Sequence, residues 1–413
     1  MTALSPKELK VQPLNISIVG AGIAGLSAAI ALRRNGHIVQ IFESAEVVEE
    51  IGAAIAIPVN SQRVLERFGY SKENLKSVPY EGVVPFDSVG GKAGITAGWL
   101  VPSGKHNLLC HRSDLCVELQ RLALGPGEGP PAMLHTGSQV VGCDTESGTL
   151  KLKDGRIIPG DVILGADGIS STVRTHVLGH VVKTVGSGWS CYRTVLDAEK
   201  VADIDWLHDG VSGVRTVIFH GSPFRMILTY PCRSGTLLNF LAAFDDPTQE
   251  SPDWPTSGTR ADVQALFTDF APRFHPLLAV LPDRVPRWQM RTVPVVPTWA
   301  RGRTAILGDA AHGTMPTLGQ GAAMAVEDAA TLGVLLQRGT PRADVPARLA
   351  AYETLRKPRG EWLGARSLEQ AVSPIHRGEY MRSEEMQKYM MEYDVFQAAE
   401  ECYQELFASA PKI

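Results

Sequence analysis

Ile16-Ser-Ile-Val19 is a short apolar run that stops at a glycine, and the residues after it, Leu26 to Asn35, repeat with helical spacing up to Gly36, which stands where helices end. Ile38 to Phe42 is a second apolar run. Strand, helix and strand together make a βαβ unit of the size that a right-handed parallel crossover requires.

From about Ser77 to Ser103 the chain is rich in Gly, Pro and Val and predicts strands and loops, followed by a helix over Ser113 to Leu124. Leu150 to Asp154, Arg156 to Pro159 and Asp161 to Leu164 are separated by glycine-containing turns, which predicts hairpin structure leading back to the main sheet. Residues 185 to 295 change character. Alternating segments such as Arg215-Thr-Val-Ile-Phe and Met226-Ile-Leu-Thr-Tyr, with tryptophans at 189, 206, 254 and 288, predict a separate sheet-bearing domain. Ala305-Ile-Leu-Gly returns to a buried strand, Gly321 to Leu336 is strongly helical, and from Arg342 onward the chain reads as helix, ending in a Met- and Tyr-rich stripe over Glu385 to Phe407 that packing explains.

The expected architecture is therefore α/β. A Rossmann-like domain spans 14–184, with inserted strands at about 77–110, and resumes over 296–365; a β-sheet domain occupies 185–295, and a helical segment follows over 366–413. At 413 residues the chain is long enough to bury a large cofactor. With 44% hydrophobic and 20% charged residues it falls in the ordinary globular range, which sets aside disordered and fibrous classes.

A formal charge of −4 provides no general attraction to nucleic acid or acidic membranes, so neither is an expected partner. The six cysteines, at 110, 116, 143, 191, 232 and 402, form no CxxC pair, which argues against a metal site and for free thiols in a reducing, cytoplasmic setting. The N-terminal MTALSPKELKVQPLN has charge and proline where a secretory leader needs an apolar core, and Arg33-Arg34 interrupt the apolar stretch that follows, so no membrane span is expected.

Candidate chemistry begins at Gly20-Ala-Gly22-Ile-Ala-Gly25, between the first strand and the helix. Glycine suits the tight turn, the close approach of backbone to a pyrophosphate and the packing of helix on strand, while the helix N-terminus attracts phosphate. Glu43 ends the second strand, 18 residues beyond Gly25, where an acidic residue can accept hydrogen bonds from an adenosine ribose. These features point to a dinucleotide without distinguishing FAD from NAD.

Two later segments separate them: Asp161-Val-Ile-Leu-Gly-Ala-Asp167-Gly168-Ile-Ser-Ser171-Thr-Val-Arg174 and Arg303-Thr-Ala-Ile-Leu-Gly308-Asp309-Ala-Ala-His312. Each sets an aspartate beside a glycine at the end of an apolar strand, and in a doubly wound sheet strand ends form the ligand crevice, so both carboxylates are expected to face the cofactor. Asp309 suits a polyol such as a ribityl chain. Pro316-Thr-Leu-Gly319-Gln-Gly321 then opens a helix, and free N–H groups there can stabilise the anionic edge of a reduced flavin, although a plain helix cap would look the same.

Taken in order, GAGIAG, HRSDL, GADGISSTVR and GDAAHGTMPTLGQG resemble the class A flavoprotein monooxygenases, built like para-hydroxybenzoate hydroxylase and similar to fungal salicylate hydroxylase-like enzymes, over residues 14 to 365. The resemblance implies FAD as cofactor, NAD(P)H as co-substrate without a domain of its own, and hydroxylation of an aromatic small molecule by O2 through a flavin C4a-hydroperoxide. It places Glu43 on the ribose, Arg112 on the cofactor, Asp309 on the ribityl chain, Ala56 and Ala322 along the flavin, and Asp167-Gly168 where both FAD and NAD(P)H are served.

A substrate held as phenolate needs a cationic or hydrogen-bonding anchor in an apolar pocket. Arg193, where similar fungal enzymes carry a substrate-anchoring arginine, and Tyr230, before Pro231, are the candidates; a junction salt bridge and a half-buried strand tyrosine are their plain alternatives. His312 is expected to support the flavin motif rather than act as a base. An indole or alkaloid monooxygenase, an FAD-dependent oxidase or dehydrogenase, and a non-catalytic flavin-binding protein remain open, as does a monomer or a homodimer.

Overall fold

In the computed structural model the described residues are 12–47, 53–92, 96–97, 104–208, 210, 212–246, 248, 256–372 and 383–408. The first eleven residues, Ile51-Gly52 and Trp254 lie outside them.

The first strand is Asn15–Val19, and it sits inside a six-stranded sheet ordered Ala300–Arg301, Thr304–Ile306, Val162–Gly165, Asn15–Val19, Ile38–Phe42, Met133–His135. Only the two-residue edge strand Ala300–Arg301 is antiparallel. Parallel strands need both faces covered, and that is why Ile16, Ile18, Ile41, Val162, Ile163 and Leu164 are all at most 1% exposed. The helix after the glycine turn runs Ile23–Arg34, three residues earlier than the apolar spacing alone indicates, because Gly25 sits in its first turn; it packs on the later helix Gly321–Leu335.

The segment Thr149–Leu152 and Ile157–Pro159 forms the expected hairpin, joined by Val140–Asp144, whereas Val162–Gly165 leaves it for the main sheet.

Eight strands build the second sheet, ordered Thr256–Thr259, Arg284–Thr292, Val185–Asp197, Leu237–Asp245, Arg225–Cys232, Gly213–Phe219, Gly82–Asp87, Thr96–Ala97. The strand Gly82–Asp87 thus joins this sheet, parallel to Gly213–Phe219, although it precedes residue 185 by a hundred positions. Alternating hydrophobicity announces a strand without naming its partner, so this assignment needed the fold. The neighbouring strand Val78–Tyr80 goes elsewhere, into a small antiparallel sheet with Asn107–His111 and, at the edge, Ala54–Ile57.

One face of the large sheet carries Tyr192, Val217, Ile227, Phe240, Ala242 and Phe244, and it is covered by Trp206, Phe267, Phe274 and Leu277. The opposite face, with Arg193 and Tyr230, turns toward the nucleotide-binding sheet. The helix Val345–Val372 closes the molecule and runs unbroken through 365 and 366, where the resemblance ends and a boundary was expected. Beyond it, Met390 and Met391 are fully buried against Val59, Leu318, Met324 and Leu363, so the methionine stripe is packing.

Candidate active site

Four strands deliver their last residues to one crevice: Gly20 after Asn15–Val19, Glu43 after Ile38–Phe42, Ala166-Asp167 after Val162–Gly165, and Gly308-Asp309 after Thr304–Ile306. Strand order reverses at Asn15–Val19, whose two neighbours lead to opposite halves of the sheet, and such switch points are where doubly wound sheets bind ligands.

The three glycines of the turn do different work. Gly20 has φ +101°, and a Cβ there would stand 2.4 Å from the Ala166 carbonyl oxygen; at Gly25 it would stand 2.0 Å from the Gly20 oxygen. Both are packing glycines. At Gly22, the residue that starts the helix, a Cβ would meet nothing within 4 Å. That open side, at the positive end of a twelve-residue helix lacking any capping side chain, fits a pyrophosphate. Glu43 closes the turn from the other side, its Oε2 accepting from Ala21 N–H at 2.8 Å and its Oε1 from Ala45 N–H at 2.9 Å.

Asp167 and Asp309 behave differently, although the sequence pattern treats them alike. The Asp167 carboxylate accepts from Ser171 Oγ at 2.5 Å and from the Thr172 and Val173 N–H groups at 2.7 and 3.0 Å, so it caps the helix Thr172–Leu178. Burial raises its pKa more than these hydrogen bonds lower it. What the segment leaves toward the crevice is backbone, at Gly168 with φ +74°. Asp309, by contrast, is exposed and forms no hydrogen bond among the described residues, at the start of the short helix Asp309–His312.

Gly319 ends a 3-10 turn over Pro316–Leu318 with φ +63°, and a Cβ on it would lie 4.0 Å from the Ala56 Cβ. The loop and the edge strand therefore face each other across a narrow gap. The helix Gly321–Leu335 begins there without a capping side chain, and Gly321 has open space on its Cβ side; Ala322 is half-buried beside it. Arg112, half-buried, begins the helix Arg112–Leu124 and donates its N–H to the Ala53 carbonyl at 2.8 Å.

Behind this gap lies a group of charges that sequence reasoning reached only in part. Glu327 accepts from Asn60 Nδ2 (2.7 Å), Arg356 (2.7 Å) and Arg359 (2.8 and 3.0 Å). Asp328 accepts from Arg356 Nε (2.8 Å), His312 Nε2 (2.6 Å) and Gly308 N–H (3.0 Å). Glu327, Asp328 and Arg356 have fully buried side chains and that of Arg359 is 4% exposed. Burial alone would raise both carboxyl pKa values, but Arg359 and Arg356 around Glu327, and His312 and Arg356 around Asp328, reverse this and hold both low, Asp328 at about 2. Two carboxylates balance two guanidiniums. His312 supports Asp328, and Asn60 also reaches Gln320 at 3.1 Å, so the cluster ties the Gly308 turn to the Gln320 loop. Arg356 and Arg359 were hidden in a helix whose composition looks ordinary.

Arg193 and Tyr230 come together. Arg193 donates through Nη2 to the Ala54 carbonyl, and Tyr230 donates its hydroxyl to the same oxygen at 2.8 Å. Burial pushes the Tyr230 phenol up to about 12, with the Arg193 charge pulling the other way, so at neutral pH it is a donor and not a base. The Arg193 Nε is buried and unpartnered among the described residues. Around them the sheet face is apolar: Ile218, Met226, Leu241, Trp288 and Met290, partly buried, pack with Met315 of the flavin-motif segment and Ala371 of the closing helix. A second joint between the sheets, absent from the sequence reading, is the ion pair of Arg233 with Asp114 at 2.8 and 2.9 Å, beside Arg112.

A family profile described as "FAD binding domain" matches residues 141–367, and one described as "NAD(P)-binding Rossmann-like domain" matches 18–65. The chain is 39% identical over 413 aligned residues to hispidin-3-hydroxylase of Neonothopanus nambi, covering 96% of this chain and 98% of that protein. The chain belongs to the class A FAD-dependent aromatic monooxygenases.

Salicylate hydroxylase of Pseudomonas putida, another such monooxygenase, is 28% identical over 84% of this chain and 82% of its own length. The crystal structure of CtdE with FAD and substrate shares the fold, at TM-score 0.81 and 22% identity over 95% of this chain and 98% of CtdE. As a class A monooxygenase the protein is a flavoprotein oxidoreductase using FAD and NAD(P)H. Among the described residues no helix is long and apolar enough to cross a membrane, no group of His, Cys, Asp and Glu could hold a metal, and all six cysteines are unpaired.

Proposed function

We propose that this monooxygenase hydroxylates an electron-rich phenolic ring, held between the Ala56–Gly319 gap and the apolar face of the large sheet, with Arg193 as the anchor for an anionic oxygen. The observation that carries this is the conjunction of a half-buried guanidinium, whose buried Nε has no partner among the described residues, and an otherwise apolar wall of Met226, Leu241, Trp288 and Met290. Arginine retains its charge when buried and pairs with oxyanions.

FAD, when bound, supplies the oxygen and hydride chemistry. The chain's own residues bind and orient. Gly22 and the start of the helix Ile23–Arg34 take the pyrophosphate, Glu43 the ribose, Asp309 the ribityl chain, and Arg112 the cofactor beside the strand Asn107–His111. The N–H groups at Gly321 and Ala322 would receive the pyrimidine edge, where the helix macrodipole would stabilise negative charge. Asp167 shapes the turn at Gly168 through its cap rather than through direct contact. The Tyr230 oxygen, its proton spent on Ala54, accepts a hydrogen bond from a substrate hydroxyl. The apolar wall excludes water from the reacting centre.

The likeness to a hispidin hydroxylase across nearly the whole chain supports an extended, polyphenolic substrate over a compact one. The test is NAD(P)H oxidation with hispidin-like styrylpyrones, simple phenolic acids and indoles, followed by mass spectrometry of products made under labelled oxygen. Stimulation by the extended phenols with one labelled oxygen in the product is expected. Stimulation by indoles alone, or product without label, would overturn the proposal.

A further inference from the structure

The strand Ala54–Ile57 is the edge of its sheet, and an edge exposes unpaired backbone groups. Because the Ala53 carbonyl accepts from Arg112 on the neighbouring strand's side, antiparallel alternation directs the N–H and C=O of Ala54, and again of Ala56, outward. At Ala54 no strand fills this side. The large sheet fills it with side chains instead: Asn239 Oδ1 accepts from Ala54 N–H at 3.3 Å, while Tyr230 and Arg193 donate to Ala54 C=O. Tyr230 and Asn239 are directly opposite one another on adjacent strands, so one cross-strand pair matches both polar groups of one residue. Two residues further along, the Ala56 Cβ stands 4.0 Å from where a Cβ on Gly319 would lie.

Asn239 is fully buried, and its Nδ2 has no partner among the described residues. The amide orientation follows from chemistry, since the Ala54 N–H needs an acceptor. Only the oxygen of this side chain is in use.

We infer that Asn239 and Tyr230 are positioning residues for the flavin ring: by holding both backbone groups of Ala54 they set where the Ala56 edge stands against the Gly319 loop, and so the gap between ring and substrate anchor. This rests on the reading above, in which FAD lies in that gap. Ile55 and Ile57 fix the strand on the core and Asn107–His111 pairs with its other side, whereas toward the large sheet alanine at 54 and 56 offers no bulky side chain, so there the hydrogen bonds to Ala54 set where it stands.

The test compares Asn239→Leu, which keeps the shape and removes the acceptor, with Asn239→Asp, which keeps the acceptor and drops the unused NH2. Both are made in the full chain and titrated with FAD. For the leucine variant the expected results are a displaced visible flavin band, FAD affinity weakened roughly fivefold to tenfold, and more hydrogen peroxide per NAD(P)H consumed. The aspartate variant is expected to restore the wild-type band. If the leucine variant does not fold, Tyr230→Phe, which removes one hydroxyl, is expected to displace the band in the same way. A leucine variant, or failing that a phenylalanine variant, with the wild-type spectrum and coupling, altered only in melting temperature, overturns the inference. Failure of the wild-type protein to bind FAD would instead strike the reading on which this one stands.

Discussion

Replacing Glu327 by glutamine should destabilise this protein by about 3–5 kcal/mol. The side chain accepts four hydrogen bonds, three of them from Arg356 and Arg359, and these residues lie at 0% and 4% side-chain exposure. With Glu327 ionised, its charge and that of Asp328 cancel the two guanidiniums. Glutamine leaves two buried guanidiniums facing one carboxylate and turns an acceptor-only group into one whose NH2 confronts other donors. The cost is that of an uncompensated buried charge, far above the 0–1 kcal/mol of a surface pair. At about 2 °C per kcal/mol for a large chain, the melting temperature should fall by roughly 6–10 °C. Differential scanning fluorimetry of FAD-free protein reads this directly, and the double variant Glu327→Gln with Arg359→Gln serves as the internal control. Neutrality returns in that double variant, so part of the loss should be recovered. A single variant melting within about 2 °C of wild type, or a double variant losing the sum of the two single losses, would refute the charge argument.

Gly22→Ala and Gly25→Ala should separate binding from folding: alanine at 25 forces contact with the Gly20 oxygen and should cost about 3 kcal/mol or more, whereas alanine at 22 should leave the apoprotein melting point almost unchanged and weaken FAD roughly tenfold or more by calorimetric titration. Asp309→Ala, at an exposed carboxylate without a partner among the described residues, should alter stability by no more than about 0.5 kcal/mol while lowering FAD affinity roughly tenfold to a hundredfold. Arg193→Lys should retain bound flavin and raise the substrate KM at least roughly tenfold, since an ammonium cannot serve Ala54 and an oxyanion in the same geometry; an unchanged KM would remove Arg193 as anchor. Urea midpoints measured from pH 5 to pH 2 should fall as acid is added, because the Asp328 carboxyl is depressed from 3.8 to about 2: its contribution, about 2 kcal/mol, is complete above the unfolded value and lost toward the folded one. Glu327 adds in the same sense, and Asp167, raised by burial, opposes.

Much of the architecture was legible because its signals are local. A parallel sheet buried on both faces needs nearly continuous apolar runs, so Ile16 to Val19 and Ile38 to Phe42, each with a single polar residue, stand out, and a backbone turned within hydrogen-bond range of another chain segment needs glycine, so Gly20 and Gly25 stand out. Gly308 and Gly319, both at positive φ, mark the later turns for the same reason. Such requirements act on one residue and its near neighbours, and the amino-acid type records them.

Pairing was settled only in three dimensions. Nothing local tells Gly82–Asp87 to cross to the large sheet while Val78–Tyr80 stays behind. Asp167 and Asp309 sit in the same motif geometry, yet a hydroxyl and two N–H groups of the following helix take up the first carboxylate and leave the second open. Arg356, Arg359, Asn60 and Asn239 matter through partners tens to hundreds of positions away, and burial is what gives those partners their strength: a charge or an amide becomes consequential when water is removed from around it, and which side chains lose their water is decided by the packing of the whole chain.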